Sequence, residues 1–246
     1  MAYDESRAAG YDRAHAARFA DAGAAVATLA ALAPGGRALE LGVGTGRLAI
    51  PLAGQGLEVW GVDSSPAMLA RLRAKPGGDR VHAVEGDFAR AESLVDGEFD
   101  LAFIAFNTLF ELQTQDAQVQ CLAGVARRLR PGGALVIEAF VPDVTQLDQS
   151  VAVTEIGDDF VRLAATRHDP PTQTTVTQYM IVRAGAVELD AWSIRYATVP
   201  EIDLMAQLAG LRRRDRWGGW RRQPFTAASS THVSVYEKGP PKAAAR

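Results

Sequence analysis

Apolar positions along the chain recur in two rhythms: short continuous runs, and longer stretches with a helical three-to-four residue period. Residues 12–32 are Ala-rich and read as a helix or a pair of helices, ended by the breaker "APGG". A regular alternation follows. Residues 38–41 form a short buried strand, and residues 47–55 a helix whose first turn tolerates Pro51. Residues 57–62 form a second strand. Ser64 and Ser65 offer an N-cap, and Pro66 suits the first turn of a helix reaching about Arg73. "VHAVEGDF" reads as a third strand and "FDLAFIAF" as a fourth. Residues 115–129 form a helix stopped by "RPGG", and residues 134–140 a fifth strand. Near-continuous apolar strands alternating with helices predict an α/β fold, a Rossmann-like parallel sheet with helices on both faces. Right-handed crossovers then bring the ligand loops to the C-terminal edge of the sheet.

The rhythm changes after Phe140. Residues 151–197 are rich in Val, Thr and aromatics with period-2 alternation, and "TTVTQYMIVR", "AGA", "VELDAWSIRYA" predicts a hairpin. Trp192, Ile194 and Tyr196 fall on one face of its second strand. Residues 200–209 form a helix closed by Gly210, "HVSVYEK" is a last strand, and the tail "KGPPKAAAR" has the composition of a disordered segment. The expectation is one Rossmann-like domain over 1–246 with an antiparallel β insertion after strand five.

Composition narrows this picture. With 246 residues, 48% of them hydrophobic, and a net charge of -3, the chain has material for one large globular domain. That charge gives no reason to expect nucleic acid or an anionic membrane as partner. No apolar run reaches the roughly 18 residues of a membrane span, and the acidic, polar start "MAYDESRAAGYD" is unlike a secretory signal. A single cysteine, Cys121, sits on the apolar stripe of its helix and reads as a small buried hydrophobe, so a cytoplasmic protein is expected.

The candidate chemistry begins at "ALELGVGTGR". Gly42, Gly44 and Gly46 stand between a strand and a helix, where backbone amides can approach a ligand closely. Their spacing, G-x-G-x-G, is one residue tighter than the dinucleotide fingerprint. Asp63 ends strand two, where a carboxylate can accept both hydroxyls of a ribose. Asp87 and Phe88 follow strand three, suited to an exocyclic amine and a purine face. Glu40 ends strand one, where an amino-acid ammonium could sit. These groups together describe a ligand with a ribose, an adenine and a cationic end.

"LELGVGTGR", "VWGVDSSPAMLARLR", "VEGDF" and "LRPGGALVIEAF" resemble, in order and spacing, the successive motifs of class I S-adenosylmethionine-dependent methyltransferases. The resemblance implies a seven-stranded sheet, S-adenosylmethionine as cofactor and S-adenosylhomocysteine as product. It places Glu40 and the glycines on the methionine part, Asp63 on the ribose, Asp87 with Phe88 on the adenine, and Ser64, Met68 and Gly86 among the cofactor-binding residues. Residues 1–33 resemble the helical cap of small-molecule members, in which Tyr11 and Arg18 would close over the cofactor and Tyr3 would reach substrate. Residues 141–198 resemble the substrate-covering sheet of natural-product members. "FNTLFEL" resembles a variant in bacterial natural-product and peptide-modifying enzymes, not the Asn-Pro-Pro-aromatic motif of base-methylating ones. It places Phe106 and Asn107 at the cofactor, and Asn107 and Glu111 nearest the transferred methyl.

Methyl transfer from a sulfonium is an in-line displacement, so the protein mainly positions the nucleophile and excludes water. The nucleophile is left open between nitrogen, oxygen and an electron-rich carbon, on a small natural-product-like molecule or a peptide N-terminus. His15, one helical turn from Tyr11, is a candidate to touch substrate. His82 and His232 read as structural, and His168 as a turn residue. Tyr179, Trp192 and Tyr196 could form an aromatic wall for a flat substrate, or a small core under the insertion. No His/Cys/Asp cluster has metal-ligand spacing. "LRRRDRWGGWRRQPF" reads as a solvated strand-and-loop face. An exposed edge of the inserted sheet could pair two subunits. Two rivals share these motifs: an NAD-dependent oxidoreductase, which the glycine spacing and the absence of a Tyr-x-x-x-Lys pair oppose, and a non-catalytic cofactor-binding protein.

Overall fold

In the computed structural model the chain is described over residues 5–15, 21–144 and 150–240. Helices α1 (Glu5–His15) and α2 (Ala22–Leu32) precede an alternation of β1 (Arg37–Leu41), α3 (Ala49–Gly54), β2 (Glu58–Asp63), α4 (Pro66–Ala74), β3 (Val81–Glu85), α5 (Ala91–Leu94), β4 (Phe99–Ile104), α6 (Gln115–Arg128) and β5 (Leu129–Phe140). After the insertion come α7 (Val199–Leu208), β10 (Leu211–Trp217) and β11 (Thr231–Lys238). The main sheet is seven-stranded, in the order β10-β11-β5-β4-β1-β2-β3. Strands β1 to β5 pair in parallel.

The expectation of a parallel sheet needs one correction: β11 runs antiparallel to β5, and β10 antiparallel to β11. The "LRRRDRW" stretch is β10, an edge strand, where a row of arginines discourages pairing with another chain. A second correction concerns "RPGG". The helix does stop at Arg128, but the strand starts at once and bulges through the two glycines, with Phe99 opposite Leu129 and Leu101 opposite Ala134.

Alternate residues of each strand feed opposite cores. Leu39, Leu41, Ala102, Ile104, Leu135 and Ile137 pack with residues of α6 and α7. Ala38, Leu101, Phe103, Ala134 and Val136 pack with residues of α2, α3 and α4. This double burial is why the strands read as continuous apolar runs, and it leaves the loops at their C-terminal ends to carry the site.

The insertion is larger than a hairpin. Strands β6 (Ser150–Ile156), β7 (Phe160–Asp169), β8 (Thr174–Arg183) and β9 (Ala186–Arg195) form an antiparallel four-stranded sheet. Its foot is joined to the body by a buried polar network. Gln118 of α6 accepts from Arg195 Nη1 (2.7 Å) and donates to the carbonyls of Leu112 (3.1 Å) and Arg195 (2.8 Å). Arg195 Nη2 also reaches Gln173 and Glu201, each at 2.7 Å. Among the described residues, no helix is long and apolar enough to cross a membrane.

Candidate active site

The glycine turn leaves β1 with Gly42, Gly44 and Gly46 all at positive φ, and the amides of Gly42 and Val43 both donate to the Val62 carbonyl at the end of β2. A Cβ on Gly42 would collide with the Thr108 side chain, so that glycine makes room for the loop after β4 rather than for a ligand. Gly44 differs: a Cβ there would meet only Met68 Cε, at 3.7 Å, leaving its backbone open to close approach. Met68 is itself buried, its amide capped by Ser65 (3.2 Å). Ser65 therefore provides the N-cap, while Ser64 is exposed.

Asp63 ends β2 and grips the turn. Its Oδ2 accepts from Gly44 N (2.8 Å) and its Oδ1 from Ser65 N (2.9 Å), while its carbonyl accepts from Gly86 N (3.0 Å). Burial raises its pKa, partly offset by those two amides. Glu40 lies deeper. It is 5% exposed, and Oε2 has no hydrogen-bond partner. Burial pushes its pKa up to about 8 against the lowering field of Arg47. A buried carboxyl oxygen without a donor suits an incoming ammonium, which would satisfy the oxygen and ionise the acid.

Asp87 is exposed and caps the short 3₁₀ turn Phe88–Arg90 by accepting from Ala89 N (2.9 Å). Phe88 is 8% exposed and belongs to the core, so only a small part of its ring can face a ligand.

Helix α1 is strapped across this edge. Asp12 accepts from the Thr45 hydroxyl of the glycine turn (2.6 Å) and pairs with Lys75 (2.6 Å), and Glu5 pairs with Arg71 (2.7 Å). The strap brings Tyr11 and His15 over the turn. Their rings are 4.5 Å apart, and His15 Nδ1 donates to the Tyr11 carbonyl (3.0 Å). His15 also meets the edge of Phe106 at 5.5 Å, and Arg47 lies over the Phe106 ring at 5.6 Å. Tyr3 and Arg18 lie outside the described residues.

Phe106 and Asn107, which follow β4, both adopt left-handed backbone, with φ of 55 and 66. Such strain in non-glycine residues needs bracing. Glu138 of β5 supplies it, its carboxylate accepting from Phe106 N (2.8 Å) and its carbonyl from Asn107 N (3.2 Å). The Asn107 side chain accepts from Phe140 N (2.7 Å). Glu111 follows on the turn Thr108–Glu111, half-buried, its pKa raised to about 7 by burial and then by Asp63. Burial and then Glu111 in turn hold the Tyr11 hydroxyl far above its ordinary range. Glu40, Asp63, Glu111, Tyr11 and Arg47 are thus linked by electrostatic interactions at one edge of the sheet.

Residues 38–133 match the model of a methyltransferase domain family. The chain is 32% identical over 243 residues to the cypemycin N-terminal methyltransferase of a Streptomyces species, covering 96% of this chain and 97% of that one. It belongs to the class I S-adenosylmethionine-dependent methyltransferases. Among solved structures, CcbJ methyltransferase from Streptomyces caelestis superposes with a TM-score of 0.83 at 36% identity, covering 97% of this chain and all of that one (100%). S-adenosylmethionine-bound CalS10, an amino pentose methyltransferase of Micromonospora echinaspora, shares the fold with a TM-score of 0.69 at 21% identity, over 93% and 96% of the two chains.

In this methyltransferase the three aromatics of the insertion divide. Trp192 and Tyr179 are half-buried on the sheet face that carries buried Ala164 and Thr175. Tyr196 lies past the end of β9, 3% exposed within the main core, with its hydroxyl 2.9 Å from His168 Nε2. Cys121 is buried, with its thiol pKa raised to about 12 by burial. His82 stacks on Trp60 at 4.7 Å, and His232 is wholly buried, its pKa lowered to about 4 by burial. Among the described residues no group of His, Cys, Asp and Glu could hold a metal. Sequence reading missed Asp12, Arg47 and Glu138. The only trace they leave is the juxtaposition of "YD" with a helical period, because their partners are distant in sequence.

Proposed function

We propose that this methyltransferase methylates an amine nitrogen on a small natural-product-like molecule. The observation that carries the proposal is Glu111: a half-buried carboxyl with a pKa of about 7, within the electrostatic reach of Asp63 and beside the strand end expected to lie nearest the methyl. A carboxylate tuned to that range both attracts a cationic amine and accepts the proton it must lose before attack. An alcohol or carbon acceptor would gain less from this concentration of acid. The N-terminus of a short peptide is the second reading, favoured by the likeness to the cypemycin enzyme along almost the whole chain.

When bound, S-adenosylmethionine supplies the methyl electrophile. Glu40 is assigned its ammonium, Gly44 and Met68 the close approach of its backbone and chain, and Asp63 its ribose. Gly86, Asp87 and the visible part of Phe88 are assigned its adenine. Tyr11 covers it and excludes water, while His15 and Phe106 form the cap's inner wall. Asn107 holds the strained turn that presents Glu111. Trp192 and Tyr179 of the inserted sheet, the proposed lid, contact the acceptor.

Nucleic acid is not expected as a partner, because all the arginines around β10 but Arg212 are already engaged: Arg213 and Arg216 by Asp203, Arg214 by Glu237, Arg221 by Asp21, and Arg222 over Trp217. The single free, buried thiol supports a cytoplasmic setting. The test is turnover with S-adenosylmethionine and a panel of amines, matched alcohols and short peptides with free or acetylated N-termini, read by mass spectrometry. Methylation of amines but not of alcohols supports the proposal, and methylation of alcohols alone overturns it.

A further inference from the structure

The turn that bears Glu111 is short. Residues Thr108–Glu111 make a single 3₁₀ turn, entered through left-handed Asn107 and closed by Phe110 N on the Asn107 carbonyl (2.9 Å) and Leu112 N on the Leu109 carbonyl (3.3 Å). One such turn has poor hydrogen-bond geometry and little stability of its own. Two glutamines hold it. Gln113 donates to the carbonyl of Glu111 itself (2.9 Å) and to the Ser193 carbonyl of β9 (2.8 Å), and accepts from the Ser193 hydroxyl (2.8 Å). Gln118 of α6 donates to the carbonyls of Leu109 (3.3 Å) and Leu112 (3.1 Å), on either side of Glu111, and to the Arg195 carbonyl of β9 (2.8 Å). Gln113 is exposed, whereas Gln118 is 0% exposed. The partners dictate how the Gln118 amide faces. A guanidinium only donates and a carbonyl only accepts, so Oε1 must meet Arg195 Nη1 and Nε2 the carbonyls. Arg195 is itself buried, and its Nη2 is fixed by Gln173 and Glu201, so the amide cannot turn away. An apolar side chain of the same size would fill the space and surrender every one of these bonds.

We propose that Gln118 is a positioning residue for the reaction: with Gln113 it ties the turn bearing Glu111 to strand β9, and so holds that carboxylate where the acceptor's proton is taken. This role rests on Glu111 being the proton acceptor, and it adds that the base is placed from two sides, by α6 and by the inserted sheet. The glutamines grip main-chain carbonyls alone, so the carboxyl of Glu111 is not consumed by them. Trp192 precedes Ser193 on β9, so the same bonds set the distance between the base and the wall assigned to the acceptor. A displacement of about 1 Å at the reacting groups is worth on the order of a hundredfold in rate.

The test uses neutral substitutions, so that a change at Glu111 comes from its position and not from added charge. Gln118→Met removes the buried amide at nearly constant volume, and Gln113→Ala loosens the same turn from an exposed site. Binding of S-adenosylhomocysteine at the parent affinity shows that each variant is folded; should Gln118→Met not fold, Gln113→Ala decides alone. The first readout needs no acceptor. The Glu111 carboxyl is titrated by carbon-13 NMR in the full chain and assigned with Glu111→Gln. Burial and then Asp63 raise its pKa to about 7, and Tyr11 interacts with the same carboxyl; both residues are unchanged in the variants. Loosening the turn admits water, so the value should fall by about one unit in Gln118→Met and by less in Gln113→Ala. The second readout is kcat with an amine acceptor, in the parent and in Glu111→Gln. Gln118→Met should lower kcat on the order of thirtyfold in the parent with KM for S-adenosylmethionine unchanged, and by less than about twofold where Glu111 is already replaced. An unmoved Glu111 titration in the folded variants overturns the proposal, as does an equal loss of kcat in both backgrounds, which would make Gln118 merely structural. Turnover at the parent rate by Glu111→Gln alone overturns instead the reading of Glu111 as the base, and the role of Gln118 with it.

Discussion

Replacing Glu40 by Gln removes the charge of a carboxyl that the fold buries without pairing one of its oxygens. With a folded pKa of about 8 and an ordinary value of 4.5, Glu40 is mostly protonated at neutral pH in the free protein. The sign follows from linkage. A carboxyl whose folded pKa is raised binds its proton more tightly folded than unfolded, so it lowers stability as pH rises from about 4.5 to about 8, by on the order of 5 kcal/mol in all. A ligand ammonium that needs the ionised form must drive the proton off. Between pH 6 and 7.5 the ionised fraction climbs from about one in a hundred to about one in four, so apparent cofactor affinity should rise on the order of twentyfold. Isothermal titration with S-adenosylhomocysteine at both pH values, repeated in buffers of different ionisation enthalpy, measures the affinity and the proton released. The parent should release nearly one proton per ligand bound at pH 6. Glu40→Gln should bind on the order of tenfold or more weaker at pH 7.5, having lost a charge-assisted hydrogen bond, and should release almost none. Equal pH dependence in parent and variant would refute the assignment of Glu40 to the ammonium.

Asp63→Ala removes the acceptor of two backbone amides; a loss of about 2 kcal/mol in denaturant titrations and much weaker S-adenosylhomocysteine binding are expected, and unchanged binding would sink the ribose assignment. Glu111→Gln should lower kcat by on the order of a hundredfold with little change in cofactor affinity. Parent activity should rise with pH through about 7 as Glu111 ionises, and that limb should vanish in the variant. Arg195→Met breaks the buried pair with Glu201 and should cost about 3 kcal/mol of stability, the lower end for such pairs because Glu201 is only half-buried; chemical denaturation reads it directly.

Local chemistry written in adjacent residues was legible before any coordinates. The alternation of apolar runs with helical periods marked the five parallel strands β1 to β5, and G-x-G-x-G, Asp63 and Asp87 marked successive strand ends, because each depends on backbone geometry within a few residues. What stayed hidden depends on groups far apart in the chain. The strained Phe106–Asn107 turn is set by Glu138, Asp12 is brought to Thr45 and Lys75 across the strap, and Gln118 meets Arg195 at the foot of the insertion. Period-2 alternation is symmetric: it separates the two faces of β6 to β9 without saying which one meets the body. Only the tertiary structure decided that Tyr179 and Trp192 are half-buried while Val153 and Leu189 face water. Likewise, a glutamate in "LELG" has an ordinary pKa as a residue and an extraordinary one as part of this sheet, because burial and missing partners belong to the assembled fold rather than to its sequence neighbours.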